Sequence, residues 1–219
     1  MTIVYAPLLT VKPTIKVNKE DPMKQGIGLM IIWLGLPLFL SGQDLQNRTV
    51  IHFAAELNSR WYLAGWSVTN LKTQTLNNTS IFSGLGYRGQ TWWLEAMSWK
   101  QWNSKGGLMG VDVRFRSQLT KKLSLYAEPA VILSQPAFYE FVYMEYSVGK
   151  KFRVGGETEN MHQLSKQTFA FGPRIGYSLG KLWGSDLALS SAYRFSPTGT
   201  DEFRVYLNIT LPRFALTDR

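Results

Sequence analysis

Over the C-terminal two-thirds of the chain, apolar and polar residues alternate with a period of two. From Thr168 to Leu179 the odd positions are Phe169, Phe171, Pro173, Ile175, Tyr177 and Leu179, and the even positions are Thr168, Ala170, Gly172, Arg174, Gly176 and Ser178. A strand sends successive side chains to opposite faces, so this segment predicts a strand with one oily face and one face of small residues and a guanidinium. The same alternation recurs at Val111 to Leu119, Lys122 to Leu133, Leu182 to Phe195 and Glu202 to Arg213. Phe138 to Val148 and Lys150 to Met161 place their charges mainly on one face, and Trp61 to Thr69, Ser80 to Arg88 and Thr91 to Trp102 also predict strands. A soluble sandwich would turn such charges to water and its grease inward. Strands of this length, with little loop between them, instead predict an all-β, antiparallel up-and-down transmembrane barrel whose oily face meets lipid. The rival architecture is a soluble periplasmic barrel that turns its oily face inward onto an apolar ligand.

The predicted connections alternate in kind. Short basic turns fall at Arg88-Gly89, Lys121-Lys122, Lys150-Lys151 and Gly180-Lys181, and longer polar loops at Asn70 to Thr79, Asn103 to Gly107, Ser134 to Ala137, Asn160 to Lys166 and Ser196 to Asp201. Outer-membrane barrels set tight turns on the periplasmic side, so this order returns both ends of the barrel there and gives about ten strands, within a range of about eight to twelve. Thr49 to Asn58 alternates too but breaks the up-down order if counted, and reads as an extra strand, a short amphipathic helix or a periplasmic lead-in.

The long apolar run Ile27 to Leu40, behind Lys24 and before Ser41-Gly42-Gln43, suits the core of an export signal better than a bilayer span. Met23-Lys24 resembles a translation start. The expected organisation is an upstream extension at 1–22, a signal peptide at 23–42, a lead-in or extra strand at 43–59, a barrel at 60–214 and a tail at 215–219. Export to a bacterial outer membrane follows from leader and barrel together.

Composition refines this picture at three points. Mean hydropathy is -0.12, as expected where apolar residues occupy every second position. Aromatic residues make up 14% of the chain, and amphipathic rings gather where an apolar band meets water. Trp92, Trp102, Tyr177, Trp183, Tyr193, Phe195 and Phe203 are accordingly predicted girdle residues. Trp92 and Trp102 share a face, and ten steps of a tilted strand rise roughly 25 Å, the height of the apolar band. Net charge is +9, yet no basic run or recognition motif points to nucleic acid, so anionic lipid headgroups and lipopolysaccharide phosphates are the expected partners.

The chain closes with Tyr206-Leu207-Asn208-Ile209-Thr210-Leu211-Pro212-Arg213-Phe214, followed by Ala215 to Arg219. This segment resembles the C-terminal strand of bacterial outer-membrane β-barrels, alternating and ending in an aromatic. The resemblance implies recognition by the barrel-assembly machinery during insertion. It names no particular barrel family, ligand or oligomeric state.

The predicted lumen face holds Asp112, Arg114, Arg116, Glu128, Glu145, Arg153, Glu157, Glu159, Arg174, Asp186, Arg194 and Arg204. Charges removed from water must be paired, so the mixed set predicts a network that largely fills the bore, with a structural or envelope-interaction role. A narrow pore favouring small anionic solutes is the alternative. A lipid A-modifying enzyme is a third reading, with His162 as base, Glu157 as orienting acid and Ser165 as nucleophile, although no close His-x-Ser motif is present. No cofactor is expected, and two histidines without cysteine give no metal-binding constellation.

Overall fold

The computed structural model describes residues 44–72, 75–103, 106–163, 167–197 and 201–215. The expected extension and signal peptide, Ser165 and residues 216–219 lie outside them. Eleven long strands follow one another: β1 (Asp44–Glu56), β2 (Trp61–Lys72), β3 (Thr75–Arg88), β4 (Trp92–Asn103), β5 (Gly106–Gln118), β6 (Leu123–Ile132), β7 (Ala137–Val148), β8 (Phe152–Gln163), β9 (Gln167–Leu182), β10 (Ser185–Arg194) and β11 (Glu202–Thr210). Each pairs antiparallel with the next, and β11 pairs with β1 to close the barrel. The two-residue β12 (Phe214–Ala215) continues beside β1.

The closing pair is parallel, in register from Asp44↔Glu202 to His52↔Thr210. The extra strand is the segment that broke the expected up-down order. The alternation seen from Thr49 starts at Asp44, and Gln46 and Ala54 on its even face are both buried. An odd strand count obliges the first and last strands to run the same way. The chain therefore enters the barrel at the loop end and leaves it at the turn end, rather than returning both ends to one side.

The Asn70–Thr79 segment also differs from expectation. It is almost wholly strand, because its polar side chains bond across the ladder: the Thr69 and Thr79 hydroxyls lie 3.3 Å apart, and Asn70 Nδ2 donates to Asn78 Oδ1 at 2.5 Å. Polarity without turn chemistry had read as loop.

The two faces are inverted relative to a soluble protein. Leu63, Ile81, Leu85, Met109, Val111, Val113, Val131, Val154 and Ile175 are each between 40% and 51% exposed on the outside, whereas Glu95, Arg114, Asp112 and Glu157 are buried. Polar groups in lipid cost several kcal/mol, roughly, so a wall that is apolar outside and charged inside suits a hydrocarbon surrounding. Glycine is required where neighbours crowd the wall. A Cβ on Gly172 would stand 1.7 Å from the Tyr193 carbonyl oxygen, and one on Gly86 would enter the Tyr62 ring.

Candidate functional site

The even positions of β8 to β11 converge with those of β5 to β7 on the barrel axis, apart from β7 and β8 themselves, where the odd positions point inward. This parity brings most of the predicted charges together. Arg174 donates Nε to Glu145 Oε1 at 2.8 Å, Nη1 to Glu157 Oε2 at 2.6 Å and Nη2 to the Ser190 hydroxyl at 2.8 Å. Its guanidinium lies between the Tyr143 and Tyr206 rings, 4.5 and 4.6 Å from their centroids. Glu157 also accepts from Tyr206 Oη at 2.8 Å and faces Arg194. Arg194 and Arg204 share Glu159 and Glu202, and Arg153 lies 3.6 Å from Glu145. Such fork-to-carboxylate pairs are the strong kind of hydrogen bond, and here most are shielded from water.

A second, smaller cluster sits on β5 and β6. Arg114 donates to Asp112 Oδ2 at 3.0 Å and to Glu128 Oε1 at 3.1 Å, with the Phe82 and Trp66 rings 4.1 and 4.6 Å from its Cζ. Tyr126 Oη donates to Glu128 at 2.7 Å. Two predicted members stand apart. Asp186 is an exposed rim residue, 3.9 Å from Lys181, and Arg116 has no ion-pair partner among the described residues.

On the opposite wall the lumen is mostly aromatic and aliphatic. Ala54, Tyr62, Ala64, Phe82 and Met97 form a buried cluster, with Trp66, Val68 and Trp99 packed against it. Within it lies Glu95, fully buried, accepting from Tyr62 Oη at 3.0 Å and Trp66 Nε1 at 2.6 Å, with His52 Nε2 at 3.3 Å. Arg48, on the same side, donates to Asn70 Oδ1 at 2.6 Å and has no carboxylate partner among the described residues. Glu95, His52, Arg48 and the inward rings were missed in the sequence. One signal was present: if Trp92 and Trp102 look outward, Trp93, Glu95 and Trp99 must look inward.

Between these walls runs a cavity of about 650 Å³. Every one of the eleven strands contributes to its lining, which extends from Gln46, Asn70 and Gln101 near the loop end to Arg153, Ser178 and Thr210 near the turn end. The Nε1 of Trp99 and Oε1 of Gln46, both on lining residues, are buried without a hydrogen-bond partner among the described residues.

The expected girdle residues Trp92, Trp102, Tyr177, Tyr193, Phe195 and Phe203 occupy outward positions, and Trp183 lies in the β9–β10 turn, 92% exposed. Of the enzyme candidates, His162 and Glu157 are not brought together, and Ser165 lies outside the described residues. His162 is on the outward face of β8, 3.7 Å from Glu140, while Glu157 points into the bore. No group of three or more metal-ligating side chains occurs among the described residues.

No family profile and no curated protein matches the sequence. Two solved structures are similar in fold. One, a KdgM porin, shares 12% identity with a TM-score of 0.51, covering 70% of this chain and 86% of its own. The other, the KdgM porin in complex with disordered oligogalacturonate, has the same identity and TM-score and covers 74% of this chain and 95% of its own. The chain therefore has the fold of an outer-membrane β-barrel of porin type.

Proposed function

We propose that the chain is a narrow outer-membrane pore for small solutes, with a preference for anions. The observation that carries this reading is the cavity of about 650 Å³ with all eleven strands in its wall, reaching from near one rim to near the other. A bore sealed by its own side chains would leave no such continuous void. The preference follows from which charges remain available to a solute. The carboxylates of the ionic wall are held by arginines, whereas Arg48 and Arg116 line the cavity without an ion-pair partner among the described residues. A passing anion meets two guanidinium groups able to bind in bidentate fashion. That one fold neighbour was solved with oligogalacturonate, a carboxylate-bearing chain, supports the same sign of charge and supplies a probe.

The competing reading, a structural barrel plugged by its ion pairs, is favoured by the density of the Arg174–Glu157–Arg194 mesh. Planar-bilayer recording separates the two. The pore reading expects small, steady conductance, a reversal potential displaced toward anions in a salt gradient, and partial block by galacturonate oligomers. A silent bilayer containing correctly folded protein would return the barrel to a plugged, structural role.

A further inference from the structure

Trp183 is the most exposed large apolar residue among the described residues, at 92%, and has a φ of 49°. The left-handed region crowds any residue with a Cβ, and glycine or asparagine normally takes such turn positions. The flanking glycines, Gly180 and Gly184, are also at positive φ. A Trp held in this conformation without packing gains nothing from its own chain, so the benefit must come from something outside it.

The surroundings indicate what that is. β9 runs five residues beyond Tyr177, its last residue in register with β8, so the β9–β10 hairpin projects past the neighbouring rim with Leu182, 49% exposed, beside the Trp. Lys181 flanks this tip. The two preceding turns on the same rim carry Lys150 and Lys121-Lys122, and Lys181 Nζ lies 3.9 Å from Asp186. Just inside them, on the outward face, are Tyr146 and Phe152, with Lys122 Nζ 5.7 Å from the Tyr146 ring. Rings backed by lysines form the arrangement that an interface of acyl chain and charged headgroup selects.

We infer that this sector of the turn rim is an anchor for anionic phospholipid, with Trp183 and Leu182 seated at the acyl boundary and Lys121, Lys122, Lys150 and Lys181 on lipid phosphates. The inference rests on the oily wall facing lipid, not on conduction through the bore. Phospholipid is the partner chosen because tight turns and the end of the last strand mark the periplasmic side, away from lipopolysaccharide. A lysine near an anionic surface changes partitioning by roughly fivefold.

The test uses the folded chain in bilayers of phosphatidylcholine, with and without phosphatidylglycerol. Trp183 emission is taken as the difference between the native protein and Trp183→Asn, a replacement suited to the same backbone. Lipid brominated near the glycerol end is expected to quench that emission, more strongly with phosphatidylglycerol present, and iodide in the buffer is not. In detergent, native mass spectrometry should show retained phosphatidylglycerol falling at least fivefold when Lys121, Lys122, Lys150 and Lys181 become glutamine, with heat-modifiability unchanged. Iodide quenching in place of lipid quenching, unaltered retention in the glutamine variant, or displacement of phosphatidylglycerol by equimolar lipopolysaccharide would each overturn the assignment.

Discussion

On the β7–β11 side of the bore, Arg174 is fixed by two carboxylates, a hydroxyl and two rings, whereas on the β1–β4 side Glu95 is fixed by a phenol and an indole among apolar neighbours, with the His52 imidazole 3.3 Å away. Both walls line one barrel and keep charges from water, but they do so by different physics. The ionic wall depends on matched opposite charges, so each member is costly to lose. The aromatic wall depends on shape and contact area, with its buried carboxylate, Glu95, held by hydrogen-bond donors. The difference teaches that the two walls should fail differently when cut.

The largest effect is expected at Glu157, which serves Arg174, Arg194 and Tyr206 together. Glu157→Ala leaves Arg174 and Arg194 each one carboxylate short in a buried site, and breaking a buried pair from one side costs about 3–5 kcal/mol. Urea unfolding of the vesicle-embedded barrel, followed by the heat-modifiable band, measures it. Replacing Glu157 and Arg174 together by leucine and methionine should recover part of the loss, because no lone partner of that pair remains. If the double variant were worse than the single one by the full amount again, the wall would not be working through pairing.

On the aromatic wall, Met97→Ala removes a buried side chain from the cluster around Phe82 and Tyr62, at about 2–3 kcal/mol through lost contact and the cavity left behind. The same unfolding measurement applies. Met97→Leu should be almost neutral, since volume rather than charge is conserved. A loss as large as that of Glu157→Ala would remove the distinction between the walls.

Glu95→Gln tests the buried carboxylate on the aromatic side. The amide keeps an acceptor for Trp66 or Tyr62 but turns a donor toward the others, which leaves one buried group unmatched at about 1–2 kcal/mol. Tryptophan emission should report it, because the Trp66 indole donates directly to the replaced carboxylate.

The contrast between walls was only half legible in the chain. Parity alone assigned Asp112, Arg114, Glu128, Arg174, Arg194 and Arg204 to one face, because charges stand out against small residues at every second position. The aromatic wall was hidden because tryptophan and tyrosine suit both a membrane rim and a packed bore, and period two cannot say which. Trp92 and Trp93 are adjacent and therefore point opposite ways, so one of the two had to face the lumen. The parallel closure was hidden for another reason. Register between the first and last strands depends on atoms far apart in sequence, and no local turn signal encodes it.

The smallest stability effect, and the sharpest functional one, is expected at Arg116. It belongs to the ionic side by position, yet has no ion-pair partner among the described residues, so Arg116→Gln should change unfolding by less than about 0.5 kcal/mol. Its consequence should appear in permeation. Removing one of the two cations available to a solute should shift the reversal potential toward cations, and Arg48→Gln should add to the shift from the other wall. Arg174→Gln makes the opposite comparison, severely destabilising while removing a charge already committed to Glu145 and Glu157. If Arg116→Gln destabilised the barrel as Arg174→Gln does, Arg116 would be a structural member of the network. The anion preference would then have to come from Arg48 alone.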